Sequence, residues 1–548
     1  TLTITYCSAY GIVNLDNHHI TRVQLNTLDK TSTGSTYSNF TANSTTLESG
    51  STYNITITKS IPTDNWKTAG FTVWIDYNID GDFDDAGEKV AGTTNGSNLT
   101  AYNLATRAFP FTVPNNGITG ITRMRVSMMQ YYTPGSPCGI VNTDSNSSEV
   151  EDYTINLTVP CGAITTTWNG TSWSNGNPTS VKAAIIAGNY SVPSNITACA
   201  LTVNNNAVVS IPSGYNVTLN GALTVSSGSF TLENNANLIQ TSNVANSGNI
   251  IVKRNSSALF RLDYTMWSSP VAGSQTLGLF SPVTATNRFY EYNTSTDKYS
   301  TVSNGSPFGL AKGYLIRMPN TWVDYVAAPP STPLSWTGTF TGVPNNGPIS
   351  YTMSLAGTGL NAVGNPYPST ISMDSFISGN TGNINGTLYF WRKRNDATNL
   401  TSYSTCTSAG CTLTNGHPYS NTDYISAGQG FIVKATSTTL NFTNSMRLPN
   451  NQNQFFKTKL VEKNRIWLNL LNEATPVNQM LLAYMTGATM EMDPAIDGAY
   501  FNDSQTALNS LIGSEEFAVQ GRALPFDGTD IVPLSFKASN SGNYTIAI

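Results

Sequence analysis

The densest set of chemically competent side chains in the sequence is the run Asp76-Tyr-Asn-Ile-Asp-Gly-Asp-Phe-Asp-Asp-Ala-Gly-Glu88. Oxygen-bearing side chains alternate at Asp76, Asn78, Asp80 and Asp82, Gly81 permits a sharp turn, and Glu88 follows. These are the hard donors that calcium takes. The run departs from an EF-hand, because its last acidic residue, Glu88, stands one place late and no helices are predicted around it. The alternative is an Asx-rich turn whose carboxylates accept backbone N–H groups without a metal. Like charges so close repel one another unless a cation or Lys89 offsets them. Acid–base catalysis is not expected of these groups, since no partnered histidine or pocket motif accompanies them. The chain has three histidines; His18 and His19 are adjacent, and on a strand they point to opposite faces. No HExxH, GxSxG or P-loop pattern occurs. The sequence is therefore read as non-enzymatic.

Cysteine is the other residue type with chemistry to offer. Six are present, at Cys7, Cys138, Cys161, Cys199, Cys406 and Cys411, with no CxxC and no Cys/His cluster. Zinc binding is not expected from such spacing. An even count spread in pairs along a low-charge chain reads as three disulfides formed in an oxidising compartment. Local pairing by domain gives Cys7–Cys138, Cys161–Cys199 and Cys406–Cys411, one of fifteen connectivities that six cysteines allow.

The elements that must position these residues are strands. Only 11% of the 548 residues are charged, and Asn, Thr, Ser and Gly supply the polarity. Those residues are poor helix formers that suit turns and strand edges. Aromatics make up 10% of the chain, including 26 Tyr and 9 Trp, which is enough to build cores and argues against disorder. Most of them are read as core, although an exposed one could form a sugar platform. The net charge of −5, with no basic run, makes nucleic acid a poor partner. No apolar stretch is long enough to span a bilayer as a helix. Thr1 opens directly into an alternating strand, which reads as a mature or trimmed product.

The predicted fold class is all-β, a string of β-sandwich domains with a short β-solenoid-like segment. Residues 1–158 form the first sandwich, with alternating strands such as Tyr53–Thr58, Phe71–Asp76 and Thr122–Met128. A Cys7–Cys138 crosslink would close nearly all of it, stabilising it by about 2–5 kcal/mol. In residues 159–258 apolar pairs recur at steps of six to eight residues, Leu201/Val203, Val209/Ile211, Val217/Leu219, Leu223/Val225 and Phe230/Leu232. That rhythm fits a solenoid in which each rung buries its pair against the next; a meander of hairpins is the alternative. Residues 259–350 and 351–457 read as a divergent duplication. Trp267–Pro270, Arg288–Asn293 and Ala311–Arg317 recur as Gly364–Pro368, Leu388–Arg392 and Ala427–Val433. The second copy is longer where Cys406 and Cys411 sit, which places their disulfide in an inserted loop. Residues 458–548 form a last sandwich, in which only Gln505–Ile512 looks helical.

Residues 1–158 closely resemble the GEVED domain, a β-sandwich module of secreted bacterial proteins. The likeness is carried by Tyr6-Cys7, Trp74-Ile-Asp-Tyr-Asn78, Asp80-Gly-Asp-Phe83, Gly87-Glu88, Thr122-Arg-Met-Arg-Val126, Cys138-Gly139 and the naming motif Ser148-Glu-Val-Glu-Asp-Tyr153. Ser148 stands where the family usually has Gly, and the acidic Glu149, Glu151 and Asp152 could add ligands or buttress the fold. The remainder is similar to stalk regions of proteins exported by the type IX secretion system, on the segments Asn365-Pro-Tyr-Pro368 and Gly428-Gln-Gly-Phe431. The resemblance implies a secreted or cell-surface, non-catalytic adhesin or structural binding module. Its partners would be the secretion machinery and a glycan or protein surface. Two other readings are the accessory region of a secreted hydrolase or protease, and a subunit of a surface filament or export-associated complex.

Overall fold

Short runs of β-branched and aromatic residues, broken every few positions by Asn, Gly or Ser, leave the backbone little option but to pair between strands. The computed structural model describes residues 5–12, 18–60, 68–93, 105–115, 117–140, 147–392, 403–412, 424–449, 463–501 and 504–548. It is all-β, with about 51% strand and 3% helix. Two compact units divide the chain, Thr1–Ile164 and Thr165–Ile548.

In the first unit two sheets enclose one core. One sheet runs Tyr37–Glu48, Ser148–Thr158, Gly120–Gln130, Ala69–Ile75, Lys89–Gly92; the other runs Leu28–Thr31, Ile20–Leu25, Thr52–Lys59, Thr106–Thr112. Phe71, Val73, Met124, Val126, Tyr153 and Ile155 of the first sheet meet Val23, Leu25, Ile55, Ile57 and Phe109 of the second. Cys7 and Cys138 are bonded, with their Cα atoms 5.6 Å apart. Beside the bond, Ala9–Tyr10 pairs in parallel with Gly139–Ile140, so the crosslink sits at the end of a short ladder.

The second unit opens with parallel pairing between successive short strands. Ile196 faces Val217 and Val217 faces Leu238, so the chain returns to the same ladder every 21 residues. Two further ladders run alongside, through Ala184, Leu201 and Leu223, and through Val209 and Phe230. The inward residues of each turn, among them Leu201, Val203, Val217 and Phe230, are fully buried. The six-to-eight-residue rhythm of the sequence is thus the spacing between ladders, three strands making one return. Strand Ile250–Leu259 then pairs in parallel with Ser229–Leu232 and antiparallel with Leu334–Pro344. One core therefore runs from Trp168 to Phe340 without a break at residue 258.

The duplication shows in the strand pairing. In the first copy the sheet order is Tyr264–Trp267, Tyr314–Arg317, Phe289–Asn293, Lys298–Thr301; in the second it is Leu360–Gly364, Gly430–Ala435, Ile384–Trp391, Tyr403–Thr407. Each copy places a short helix, Leu277–Phe280 or Met373–Gly379, at the same point of its connection. Registers match as well: Phe289 and Tyr290 face Ile316 and Leu315, as Leu388 and Tyr389 face Val433 and Ile432. The copies also grip one another reciprocally. Trp267 bridges Gln429 while Val363 bridges Lys312. Ser268 N–H donates to Gly428 O (3.0 Å), and Gly364 N–H donates to Ala311 O (2.9 Å). Such exchange is the signature of a two-fold relation. Close approach here demands glycine: a Cβ on Gly364 would lie 2.2 Å from that of Ser268, and one on Gly430 2.6 Å from Met266 Cγ.

Strand Tyr403–Thr407, the counterpart of Lys298–Thr301, turns into Gly410–Cys411, so the Cys406–Cys411 disulfide closes a hairpin that starts on a strand both copies share and not an inserted loop. This hairpin carries the last sheet. Its buried Ala409 packs among Leu481, Ala483 and Val519, Arg465 Nε donates to Ala409 O (2.8 Å), and Trp467 Nε1 donates to Cys411 O (3.3 Å). Boundaries drawn at 350 and 457 consequently pass through shared packing rather than between separate cores. Within the last sheet Ala507–Ile512 is a strand paired on both sides, with Glu515–Arg522 and Leu534–Lys537, and not the helical turn its sequence predicts. Ladder bonds on two edges outweigh the weak local helix preference of so short a segment. Cys161 and Cys199 are also disulfide-bonded, and no cysteine among the described residues is free.

Bends between these strands are held by buried amides. Asn365 is fully buried; its Nδ2 donates to the carbonyls of Ser369 (2.7 Å), Ile425 (3.1 Å) and Ser426 (3.2 Å), and its Oδ1 accepts Tyr367 N–H (3.0 Å). Asn365→Ala strands these groups, so chemical denaturation should show a loss of about 2–3 kcal/mol, whereas Ser213→Ala, at an exposed turn, should change stability little.

Candidate functional site

Strand Ala69–Ile75 is buried along its whole length and delivers the chain to the sheet edge at Asp76. There the acidic run folds back, with Ile75 N–H donating to Glu88 O (2.8 Å). Two of its carboxylates turn inward. Asp76, fully buried, accepts Ile79 N–H (2.7 Å) on Oδ1, and Gly81 N–H (3.1 Å) and Tyr6 O–H (2.7 Å) on Oδ2. Glu88, also buried, accepts Tyr77 N–H (2.9 Å) and Asp85 N–H (3.3 Å). Burial pushes the Glu88 carboxyl up to about 7, against the pull of those two N–H groups, with the charges of Asp76 and Asp85 adding to the rise. Both residues work as internal caps that hold the loop's shape. Ile79 and Gly81 take positive φ, 63° and 101°, to make the turn.

The other carboxylates face outward. Asp80, Asp82 and Asp85 are exposed, and each offers an oxygen within 4.8 Å of the others. Asn78, beside them, donates through Nδ2 to Asp80 (2.9 Å) and Asp85 (2.5 Å). Of the five residues read as ligands, the structure brings Asn78, Asp80 and Asp82 to one rim and turns Asp76 and Glu88 away from it. It adds Asp85, which alternation passed over because the loop, unlike a strand, does not keep a period of two. An exposed rim of hard oxygens with room for water is a donor set that fits calcium.

The naming motif lies on strand Ser148–Thr158, and its acids are buried among protein partners. Asp152 forms a two-pronged pair with Arg125, Nε to Oδ1 at 2.7 Å and Nη2 to Oδ2 at 2.8 Å. Tyr37 O–H reaches the same carboxylate at 3.0 Å. Arg125 continues through Nη1 to Pro137 O (2.7 Å) and Cys7 O (3.0 Å), so one buried guanidinium ties the motif to the disulfide. Glu149 accepts Ile20 N–H (2.7 Å) and Ser35 N–H (3.1 Å), and Glu151 accepts Tyr153 O–H (2.7 Å). Ser148 takes no positive φ; its hydroxyl accepts Ile12 N–H (2.8 Å), and the close approach falls to Gly11, where a Cβ would lie 2.0 Å from Ser148 O. Sequence reasoning had no means of joining Arg125 to Asp152 across a strand register, nor Tyr6 to Asp76.

Family models match the chain in two places. A GEVED domain covers residues 70–156, and a domain of unknown function, DUF8693, covers residues 160–548. No curated protein matches the chain, and no solved structure does.

Two outcomes follow for the first unit. Asp152→Ala leaves Arg125 buried without its carboxylate, and should cost about 3–5 kcal/mol, read by hydrogen exchange along Ser148–Thr158 in the full chain. Burial first, and the charge of Glu151 second, push the Glu149 carboxyl up to about 8. A raised carboxyl favours the fold in its protonated form. Its contribution is complete below the ordinary carboxylate range and is lost as pH rises through about 8. Exchange protection of the unit should therefore increase as pH falls from about 8 to about 5, and Glu149→Gln should flatten that slope.

Proposed function

The chain belongs to the DUF8693 family and carries a GEVED domain ahead of that region, and we propose that it is a secreted, cell-surface, non-catalytic protein that binds partners as an adhesin or structural module. The observation that carries this reading is the oxidation of all six cysteines of an all-β chain, the state of chains that work outside the reducing cytosol. The proposed route is type IX-like export, on the likeness of the segments around Asn365 and Gln429 to stalk regions of such cargo. Surface labelling tests it directly. Antibody to the first unit should stain intact cells, and added protease should remove the signal. Retention of the chain inside cells that possess the export machinery would overturn the reading.

Calcium is proposed at the outer rim of the acidic loop, held by Asp80, Asp82 and Asp85 with Asn78 alongside, while Asp76 and Glu88 shape the loop from within. The ion would relieve the mutual repulsion of three exposed carboxylates and stiffen the sheet edge. Extracellular EF-hand sites bind calcium at about 10⁻⁴–10⁻³ M, and three exposed carboxylates are expected to bind no more tightly. Millimolar calcium should raise exchange protection over residues 76–88, a chelator should reverse it, and Asp80→Asn with Asp82→Asn should abolish the difference. Equal protection with and without calcium rejects the site.

A further inference from the structure

The two-fold relation inside the second unit allows each position of one copy to be compared with its counterpart in the other. Around the axis the copies agree. Tyr292 and Tyr299 stack edge-to-face across their strands at 5.3 Å, their counterparts Trp391 and Tyr403 do so at 5.2 Å, and the Tyr299 and Tyr403 hydroxyls meet at 2.6 Å. One residue before Tyr292 and Trp391 the copies diverge. The first has Glu291, ion-paired to Lys312. The second has Phe390 at the place of Glu291 and Gln429 at the place of Lys312. Where the first copy joins these two positions in a salt bridge, the second opens into a cleft of about 460 Å³.

The walls of this cleft come from three parts of the unit. Asn234 and Asn235 lie on a turn of the parallel coils, Arg254 to Ser257 on the strand that leaves them, and Tyr264 to Trp267, Phe390 to Arg392 and Ser426 to Gly430 on the two copies. Arg254 spans the cleft, donating to Asn235 Oδ1 on one side and to Ser426 Oγ (2.8 Å) on the other. Its position is thus fixed before any ligand arrives. The half-buried rings of Tyr264 and Trp391 offer flat apolar surface beside amide, hydroxyl and guanidinium groups. The volume falls among those of small-ligand sites, about 300–1,000 Å³.

We propose that this cleft binds a short oligosaccharide. A pyranose ring presents apolar C–H faces and a rim of hydroxyls that both donate and accept. It is matched by aromatic planes set among Asn, Gln, Ser and Arg side chains, and much less well by a purely apolar or purely charged pocket. The assignment rests on the reading of the chain as a binding protein and gives that reading a place and a ligand class.

The test uses the full chain on an array of neutral and uronate-bearing oligosaccharides, with titration calorimetry of the best binder and an unstructured peptide as control. Binding to one family of sugars is expected. Trp391→Ala should weaken it about tenfold or more. Since that change could disturb the aromatic cluster, Ser257→Trp provides a second measurement: Ser257 is an exposed wall residue, and the bulky ring should block the sugar while leaving the melting temperature unchanged. Failure to bind any sugar, binding undiminished in Ser257→Trp, or equal binding of the peptide overturns the proposal. Sugar binding by a chain that never reaches the surface would defeat the display reading and leave this one standing; surface display without sugar binding would do the reverse.

Discussion

Backbone groups at the bends between short strands have no ladder partner, and leaving one buried and unpaired costs more than most side-chain contacts return. A chain with 11% charged residues meets that demand chiefly with short uncharged side chains. Asn365 holds three carbonyls at one corner of the second copy. Asn380 holds the end of the helix Met373–Gly379 against the carbonyl of Asn441. Asn237 both stacks on Asn216 within the coils and accepts Thr370 N–H from the copy beyond. The abundance of Asn, Ser and Thr is thus a structural requirement of a fold made almost wholly of bends and short ladders.

In the first unit the same demand is met by carboxylates, and burial decides which of them can do anything else. Asp76, Glu88, Glu149 and Asp152 spend their oxygens on backbone N–H groups, a tyrosine or an arginine inside the fold. Asp80, Asp82 and Asp85 lie in the same unit but remain on its surface. The acidic residues therefore divide into an inner set that shapes the loop and clamps the disulfide, and an outer set that stays exposed, in which Asp80 and Asp82 each accept one backbone N–H in a local turn. The inner set makes the outer one possible, because the turn that presents it is built on the Asp76 and Glu88 caps.

The second unit shows what duplication makes available. Reciprocal bridges between Trp267 and Gln429 and between Val363 and Lys312 fix two copies about one axis, and glycines at the seam allow their backbones to touch. Once the axis is held by the tyrosine and tryptophan cluster, each side is free to diverge. An ion pair on one side and a polar cleft on the other are such a divergence, achieved without altering the sheet order of either copy.

Much of this was legible in the residues alone. Composition and period determined an all-β chain, because Asn, Gly and Ser at short intervals leave no room for helices. The apolar pairs after Leu201 announced regular returns, since a buried rung must repeat its inward residues. The paired motifs around Trp267 and Gly364 announced two related sheets, and the acidic run marked a loop of hard donors. Tertiary structure alone decided the rest. It turned Asp76 and Glu88 inward and brought in Asp85, because a loop's side chains follow its hydrogen bonds rather than an alternation. It made a strand of Ala507–Ile512, because pairing on two edges overrides local preference. It set Arg125 against Asp152 and opened the cleft beside Arg254, because both depend on registers between strands far apart in the chain, which no local pattern encodes.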